Sequence, residues 1–362
     1  MILDVDQSLA PKRNRNLPAD DIAMSCRVRL ARNLKGERFP DWATEADRAR
    51  VFTQVRNALR VEKPQARAAL IDGLDEQERN VLCESHLISK ELLGRPIGGG
   101  VAFEADKSYC VMINEEDHLR IQGFAIGLDM QKAWRTADEL DTRLEKYLEY
   151  AWSARLGYLT ACPSNVGTGL RAGAMLHLMG LRLLGEIDPV IRGLERMRLL
   201  VRGVCGEGSE AAGQIYQISN MDTLGVDEAS IVSRVQRISF EVVRQEHNAR
   251  VRLIQDSPLV LVDCLARSLS VLQNARLLST SEALEFLSAI RLGAALKLCT
   301  RMSVANVDDL ILVMQPGHLQ KCQGAAMTSD ERDEQRAVFL RRQMTGVRLK
   351  CRMVEAGVAK LH

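Results

Sequence analysis

The chain has 362 residues, 46% hydrophobic and 27% charged, a size and composition that fit a folded protein of about two domains and exclude a disordered or fibrous one. Its 49 basic and 47 acidic side chains leave a formal charge of +2 and are interspersed along the chain, so no basic stripe points to nucleic acid or an anionic membrane. Apolar runs such as 259–262 fall far short of a bilayer span, and the N-terminus lacks a basic region followed by an apolar one, so a cytoplasmic protein is expected. Nine cysteines without a CxxC pair fit reduced thiols better than a disulfide framework or a zinc site.

Residues 1–20 carry Pro11 and Pro18, show no periodicity, and read as an extended lead-in to a fold starting near Asp21. At 25–29, Ser-Cys-Arg-Val-Arg sets Arg27 and Arg29 two residues apart. In an extended segment both guanidinium groups leave one face and can fork phosphate oxygens, although an exposed polar strand has the same pattern. Helical spacing covers 47–62, with Val51, Val55, Ala58 and Leu59 on one face, and 75–93, after which a Gly-rich stretch at 93–100 breaks it. Strands at 108–113 and 119–126 flank the turn Asn114-Glu-Glu-Asp-His118, short enough to join antiparallel neighbours. Its three consecutive carboxylates repel one another unless cations or water offset them; a solvated acidic turn is the plainer alternative.

A charged helix is expected over 130–154, then a strand at 158–161 and a helix at 168–184. Between the last two, Cys162-Pro-Ser-Asn-Val-Gly-Thr-Gly-Leu-Arg171 reads as a strand running into a helix start. Free backbone N–H groups there favour anions and depress a thiol pKa; a Gly-rich connection beside a buried cysteine is the alternative. Strands at 198–204 and 214–218 border the Gly- and Glu-rich stretch 205–213, suited either to closing over a ligand or to an ordinary surface turn. From Asp227 the spacing is helical, through 232–253, 284–298, 307–313 and 330–344. The expected class is α+β, with a lead-in at 1–20, a body at 21–255 and a helical C-terminal domain at 256–362.

Neither GxxxxGK[ST] nor an HRD and DFG set occurs, so any phosphate site is built in another way. NEEDHLR at 114–120, CPSNVGTGLRAG at 162–173 and SxRxR at 25–29 occur together, and with them the chain resembles the phosphagen (guanidino) kinase catalytic domain. RGVCGEGSEA at 202–211, QISN at 217–220 and RDEQRA at 332–337 narrow the resemblance to the bacterial branch that phosphorylates arginine side chains of proteins. It spans about 21–337.

The resemblance implies an antiparallel sheet flanked by helices, ATP and Mg²⁺ as cofactors, and no metal site of the protein's own. A guanidinium group has a pKa above about 12 and attacks phosphorus poorly until a base attracts its proton. By motif, Glu116 and Glu210 grip the acceptor guanidinium, one of them as general base, with Cys162, its thiol pKa expected to be depressed, against the same group. Nucleotide contacts fall on Ser25, Cys26, Arg27, Val28 and Arg29; on His86 and Arg120; on Arg171, Ala172, Gly173, Ala174 and Met175; and on Arg202, Gly203, Val204, Cys205, Gly206 and Glu207. Arg332, Asp333, Arg336 and Ala337 correspond to an allosteric phosphoarginine site.

Cys26 stands where the family usually has a second serine, and Cys205 where small-molecule kinases carry an arginine. Only 24 residues precede SxRxR, so the helical substrate lid of free-arginine and creatine kinases is expected to be missing. Implied partners are proteins with exposed arginine, an activator protein, a Clp-type chaperone or protease, and further copies in a homodimer or larger oligomer. A kinase for free arginine or another small guanidino compound is the alternative. A catalytically silent phosphoarginine-binding regulator is a third reading, against which Glu116, Cys162 and Glu210 argue.

Overall fold

Strict alternation shapes the central strand. In the computed structural model, which describes residues 21–94, 97–203 and 211–350, β1 (Ala23–Arg32) buries Cys26, Val28 and Leu30 completely while Ser25, Arg27 and Arg29 stay partly open. The next elements are α1 (Glu45–Glu62), β2 (Arg67–Leu70), α2 (Glu76–Glu84), α3 (Lys90–Gly94), β3 (Gly100–Phe103), β4 (Tyr109–Ile113) and β5 (Leu119–Ile126). Then come α4 (Met130–Glu145), the hairpin β6 (Trp152–Ser153) and β7 (Gly157–Tyr158), β8 (Leu170–His177), α5 (Met179–Leu183), α6 (Ile187–Arg196), β9 (Leu199–Gly203) and β10 (Ile215–Asn220). Helices follow to the end: α7 (Glu228–Asp256), α8 (Pro258–Asn274), α9 (Thr280–Ala295), α10 (Val304–Val313), α11 (Pro316–Gln323) and α12 (Ser329–Gln343).

Eight strands form one antiparallel sheet in the order β2-β3-β4-β5-β1-β8-β10-β9. One face packs on α1, α4 and α7 through Val28, Leu30, Ala133, Ala137, Val235 and Val242. The opposite face, which carries Arg27 and Arg29, is covered at two places. Near β3 and β4 the cover is α2 and α3, with Leu82, Leu87 and Leu92 against Val101, Phe103, Cys110 and Met112. At the far end of β8 it is the C-terminal helices, whose core takes in Ile215 and receives Met24 and Met175. Strand β4 is buried on both sides, so it reads as an unbroken apolar run instead of alternating. Among the described residues no helix is long and apolar enough to cross a membrane.

The α+β architecture agrees with the sequence reading, and several elements differ from it. The expected helix at 168–184 is strand β8 followed by the short α5. Its Ala- and Gly-rich composition imitates a helix, but Leu170, Ala172, Ala174 and Leu176 are all fully buried on a period of two. Small side chains suit a central strand that a long helix crosses. The helix begun at Met130 stops at Glu145, because Leu148 and Tyr150 turn inward and the chain pairs back onto the segment after β1 through Lys35 N–H to Glu149 O. The helix expected over 75–93 is broken at His86, whose φ of 60° lies in the left-handed region. The strand expected at 158–161 is only the two-residue β7.

Helix α4 lies so close to the sheet that a Cβ on Gly123 would fall 2.2 Å from the carbonyl oxygen of Ala133. Gly123→Ala is therefore expected to destabilise the fold by about 1–3 kcal/mol through overpacking, seen as a lower urea midpoint with unchanged slope. An unaltered midpoint would show that α4 can lift off the sheet without penalty.

Candidate active site

Residues directly opposed in an antiparallel sheet share a face. Arg29 opposes Arg171 of β8, Ala31 opposes Arg120 of β5, and Ser25 opposes Met175, which opposes Gln217, which opposes Arg202 of β9. Arg27, Arg29, Arg120, Arg171 and Arg202, from four strands, thus stand on one face between the two helical covers. They are reachable by solvent yet surrounded by protein, and they repel one another. Burial pushes Arg29 well below the ordinary guanidinium range, and the charges of Arg27, Arg120 and Arg171 push it further. Arg27 is lowered to about 10, by burial first and then by Arg120. Arg171 is lowered by burial, then by Arg202 and Arg120, with Cys162 and Glu116 opposing. Among the described residues Arg29 and Arg171 have no hydrogen-bond or ion-pair partner, and Arg27 has a long contact of 3.4 Å to Gln217 Oε1. A set of cations that destabilise one another in this way is relieved by a polyanion.

The acidic turn resolves its own repulsion by sending each carboxylate in a different direction. Glu115 is buried against Ser89 Oγ and accepts from Arg120 Nη1 at 2.7 Å. Asp117 is also buried; its Oδ1 accepts from Asn33 Nδ2 and from the Ala161 N–H, both at 2.7 Å, so it braces the segment that leads to Cys162. Burial raises the Asp117 pKa, and its Oδ2 has no partner. Glu116 alone faces outward, with 37% of its side chain exposed and Oε2 at 3.2 Å from Arg120 Nη2. His118 is held neutral by burial; its ring bridges Leu34 N–H at 3.0 Å and Arg38 O at 2.7 Å.

Cys162 lies on the loop from β7 to β8, partly exposed, with Sγ 3.0 Å from Ser164 Oγ. Since the loop enters a strand, the helix dipole invoked for this thiol from the sequence is absent. Other contacts fix the loop. Thr223 Oγ1 donates to Ser164 O and Val166 O at 3.1 and 2.8 Å. Gly167, at φ 112°, leaves no room for a Cβ, which would sit 2.2 Å from Thr223 O. Arg32 donates to Thr168 O at 2.9 Å and stacks 3.5 Å from the Tyr158 ring. Arg171, two residues into β8, feels the Cys162 thiol and the Glu116 carboxylate together. His86 is exposed at the end of α2, and crowding by surrounding protein followed by the charge of Arg27 lowers it to about 4.

Arg27, Arg29, His86, Glu116, Arg120, Cys162, Arg171 and Arg202 therefore gather in one cleft, with Ser25 on the same face. Cys26, Val28, Ala172 and Ala174 point to the opposite side and are wholly buried, so their side chains cannot touch a ligand in the cleft. Cys26 donates to Gly127 O at 3.3 Å, and burial raises its thiol to about 12. Gly173 is packed against Ile218 and Ser219, Met175 packs into the C-terminal helices, and Gly203 ends β9 opposite Tyr216. Val204, Cys205, Gly206, Glu207 and Glu210 lie outside the described residues. The sequence reading missed Glu115 as the buried counter-ion of Arg120, and it missed Asn33 and Asp117 as braces. Their signal was the asymmetry of the acidic turn, in which the burial of each carboxylate depends on distant chain segments.

The C-terminal motif needs a correction. Arg336 is fully buried, and its guanidinium is committed to Met314 O at 2.9 Å, Leu278 O at 2.7 Å and Asp333 Oδ1 at 2.6 Å. Ala337 is core, while Arg332 is half-exposed with a contact to Met327 O at 3.3 Å. Helical spacing puts Arg332 and Arg336 on adjacent turns, but the second turn faces inward, where Arg336 ties α12 to two inter-helix connections.

An arginine cradle on an antiparallel sheet, beside an outward glutamate and a partly exposed thiol, defines a phosphotransferase acting on guanidino groups. Residues 49–249 match the family described as ATP:guanido phosphotransferase, C-terminal catalytic domain, and residues 258–353 match the protein-arginine kinase McsB C-terminal domain. The protein-arginine kinase of Moorella thermoacetica is 42% identical over 91% of this chain and 95% of its own; that of Halothermothrix orenii is 39% identical over 90% and 93%. The chain belongs to the protein-arginine kinases, within the ATP:guanido phosphotransferase family. Among solved structures, lombricine kinase superposes with a TM-score of 0.55 at 27% identity, over 67% of this chain and 70% of that one. The duplicated taurocyamine kinase of Schistosoma mansoni shares the fold at a TM-score of 0.58 and 23% identity, over 72% of this chain and 40% of that one. Arg27 and Arg29 precede the matched catalytic segment, so their place in the cleft rests on the register of β1.

Two outcomes follow from burial. Iodoacetamide at pH 8 is expected to label Cys162 and Cys322 in the folded protein and to spare Cys26 and Cys110, whose thiols are buried and raised; peptide mapping checks it. Arg336→Ala is expected to cost about 3–5 kcal/mol by leaving Asp333 and two carbonyls without their buried partner, read as a lowered thermal midpoint.

Proposed function

We propose that the chain transfers the γ-phosphoryl group of ATP to arginine side chains of proteins. The observation that carries this is the set of mutually repelling arginines facing Glu116 and Cys162 across one cleft. Phosphoryl transfer depends mainly on alignment and charge stabilisation, and a triphosphate placed among these five cations lowers the energy of both partners. The acceptor nitrogen forms a bond to the γ-phosphorus as the bond from that phosphorus to the β,γ-bridging oxygen breaks, and the nitrogen's proton passes to a carboxylate. Glu116 is one such group on the open side of the cleft, and Glu210 is the second by motif. Cys162 lies against the acceptor guanidinium and helps to orient it, without a covalent intermediate. Among the described residues no three acids, histidines or cysteines group to hold a metal, so Mg²⁺ would be carried by phosphate oxygens and offset part of their charge.

The product mark would direct proteins to Clp-type proteolysis in a cytoplasmic stress response, with an activator protein and a homodimeric or larger assembly. The open edge of α12 at Arg332 and Asp333 is the part of its motif left to meet phosphoarginine, with Arg336 and Ala337 supporting it from inside. The support for this finer reading is the match to protein-arginine kinases over both segments of the chain.

Incubation with Mg-ATP and either an unfolded protein or free arginine, followed by mass spectrometry without acid because P–N bonds are acid-labile, tests the assignment. Phosphoarginine in the protein is expected; phosphorylation of free arginine alone would replace it with the small-guanidino reading. Glu116→Gln is expected to lower kcat by about 10²–10⁴-fold with little change in ATP affinity. Arg171→Ala is expected to weaken ATP binding by roughly 10-fold or more and to lower turnover as well.

A further inference from the structure

The two helical covers of the arginine face meet where α11 packs on α2. Glu84, the last residue of α2, accepts the Gly317 N–H on Oε1 at 2.6 Å and the His318 N–H on Oε2 at 2.9 Å. The buried His318 ring lies alongside, with Nδ1 2.6 Å from Glu84 Oε2 and Nε2 3.4 Å from Ser85 Oγ. The carboxylate thus occupies the start of α11, where first-turn N–H groups lack partners within the helix and the dipole favours negative charge. The fit is close: a Cβ on Gly317 would meet Asn80 Cβ at 2.9 Å and the Glu84 oxygens at 3.0 and 3.1 Å. On the far side of α11, Arg336 of α12 grips Met314 O at 2.9 Å, just before the helix begins. On the near side, two residues past Glu84, the chain turns through His86 at φ 60° into the cleft, beside Arg27.

From this continuity we infer that Glu84 is a positioning residue: by binding the end of α2 to the start of α11, it holds His86 against the nucleotide side of the cleft and makes nucleotide affinity depend on the C-terminal helices. The inference rests on the cleft being the ATP site. Glu84 lies outside the reacting cleft, so it acts on binding through backbone placement and leaves the chemical step alone.

The test uses the full chain and two variants that fail for different reasons. Glu84→Gln keeps the shape but weakens the grip, because an amide offers one acceptor oxygen and no charge. Gly317→Ala leaves Glu84 intact and pries α11 away from α2. Each is expected to raise both the Kd for Mg-ATP and the KM by about 5–10-fold while kcat stays within about twofold. Adding His86→Ala to Glu84→Gln should bring little further loss of affinity, since both act through the same contact. If Glu84→Gln lowers the thermal midpoint with nucleotide affinity unchanged, Glu84 is a helix cap only and the inference is overturned. A fall in kcat matching the rise in KM would also overturn it. Absence of Mg-ATP binding by the unaltered chain would instead remove the cleft assignment and this inference with it, so the two failures are distinguishable.

Discussion

The protein depends on a repulsion it does not relieve by itself. Arg29 and Arg171 face each other across neighbouring strands, an arrangement that destabilises a sheet when the charges are alike. It persists because the other face of those strands buries Val28, Leu30, Ala172 and Ala174 completely under α4 and α7, and because a one-residue slip would put guanidinium groups into that core. The apolar half of the sheet sets the register that keeps the polar half under tension. One cation of the cluster is compensated: Arg120, by Glu115 from beneath and Glu116 from the edge.

A division of labour runs through the acidic turn. Three consecutive carboxylates would compete for the same space, and the fold separates them. Glu115 holds Arg120, Asp117 holds Asn33 and the loop before Cys162, and Glu116 is left to the cleft. Two of the three are structural, and their burial leaves a single acidic group in a defined direction. The cysteines divide in a similar way. Cys26 interrupts the family's usual serine without touching the cleft, because position 26 alternates inward.

Much of this was legible in the sequence, because motif and alternation report the same thing in β1: arginines two residues apart leave one face, and the residues between them are core. The α+β class and the C-terminal helices followed from periodicity. Strand β8 was misread, since Ala and Gly at a crowded sheet centre look like helix formers until the layer crossing them is known. The break at His86 was invisible, because a left-handed residue at the end of a helix leaves no mark when it is not glycine. Arg336 shows the limit of motif transfer: spacing identifies the turn of the helix, and only packing tells whether that turn faces water or carbonyl oxygens.

Strand β8 has a bearing on how the molecule can be dissected. It begins with Arg171 in the cleft and ends at His177, fully buried with Nε2 2.8 Å from Ser288 Oγ on α9 and Nδ1 beside Arg250. Burial, with Arg291 and Arg250 nearby, keeps that imidazole well below its ordinary pKa. Removing everything after α7 would uncover Met24, Met175 and Ile215 along with this histidine, on the very strand that presents the phosphate-facing arginine. A truncated catalytic half would therefore be a damaged sheet, not a free-standing module, and the two halves melt as one cooperative body.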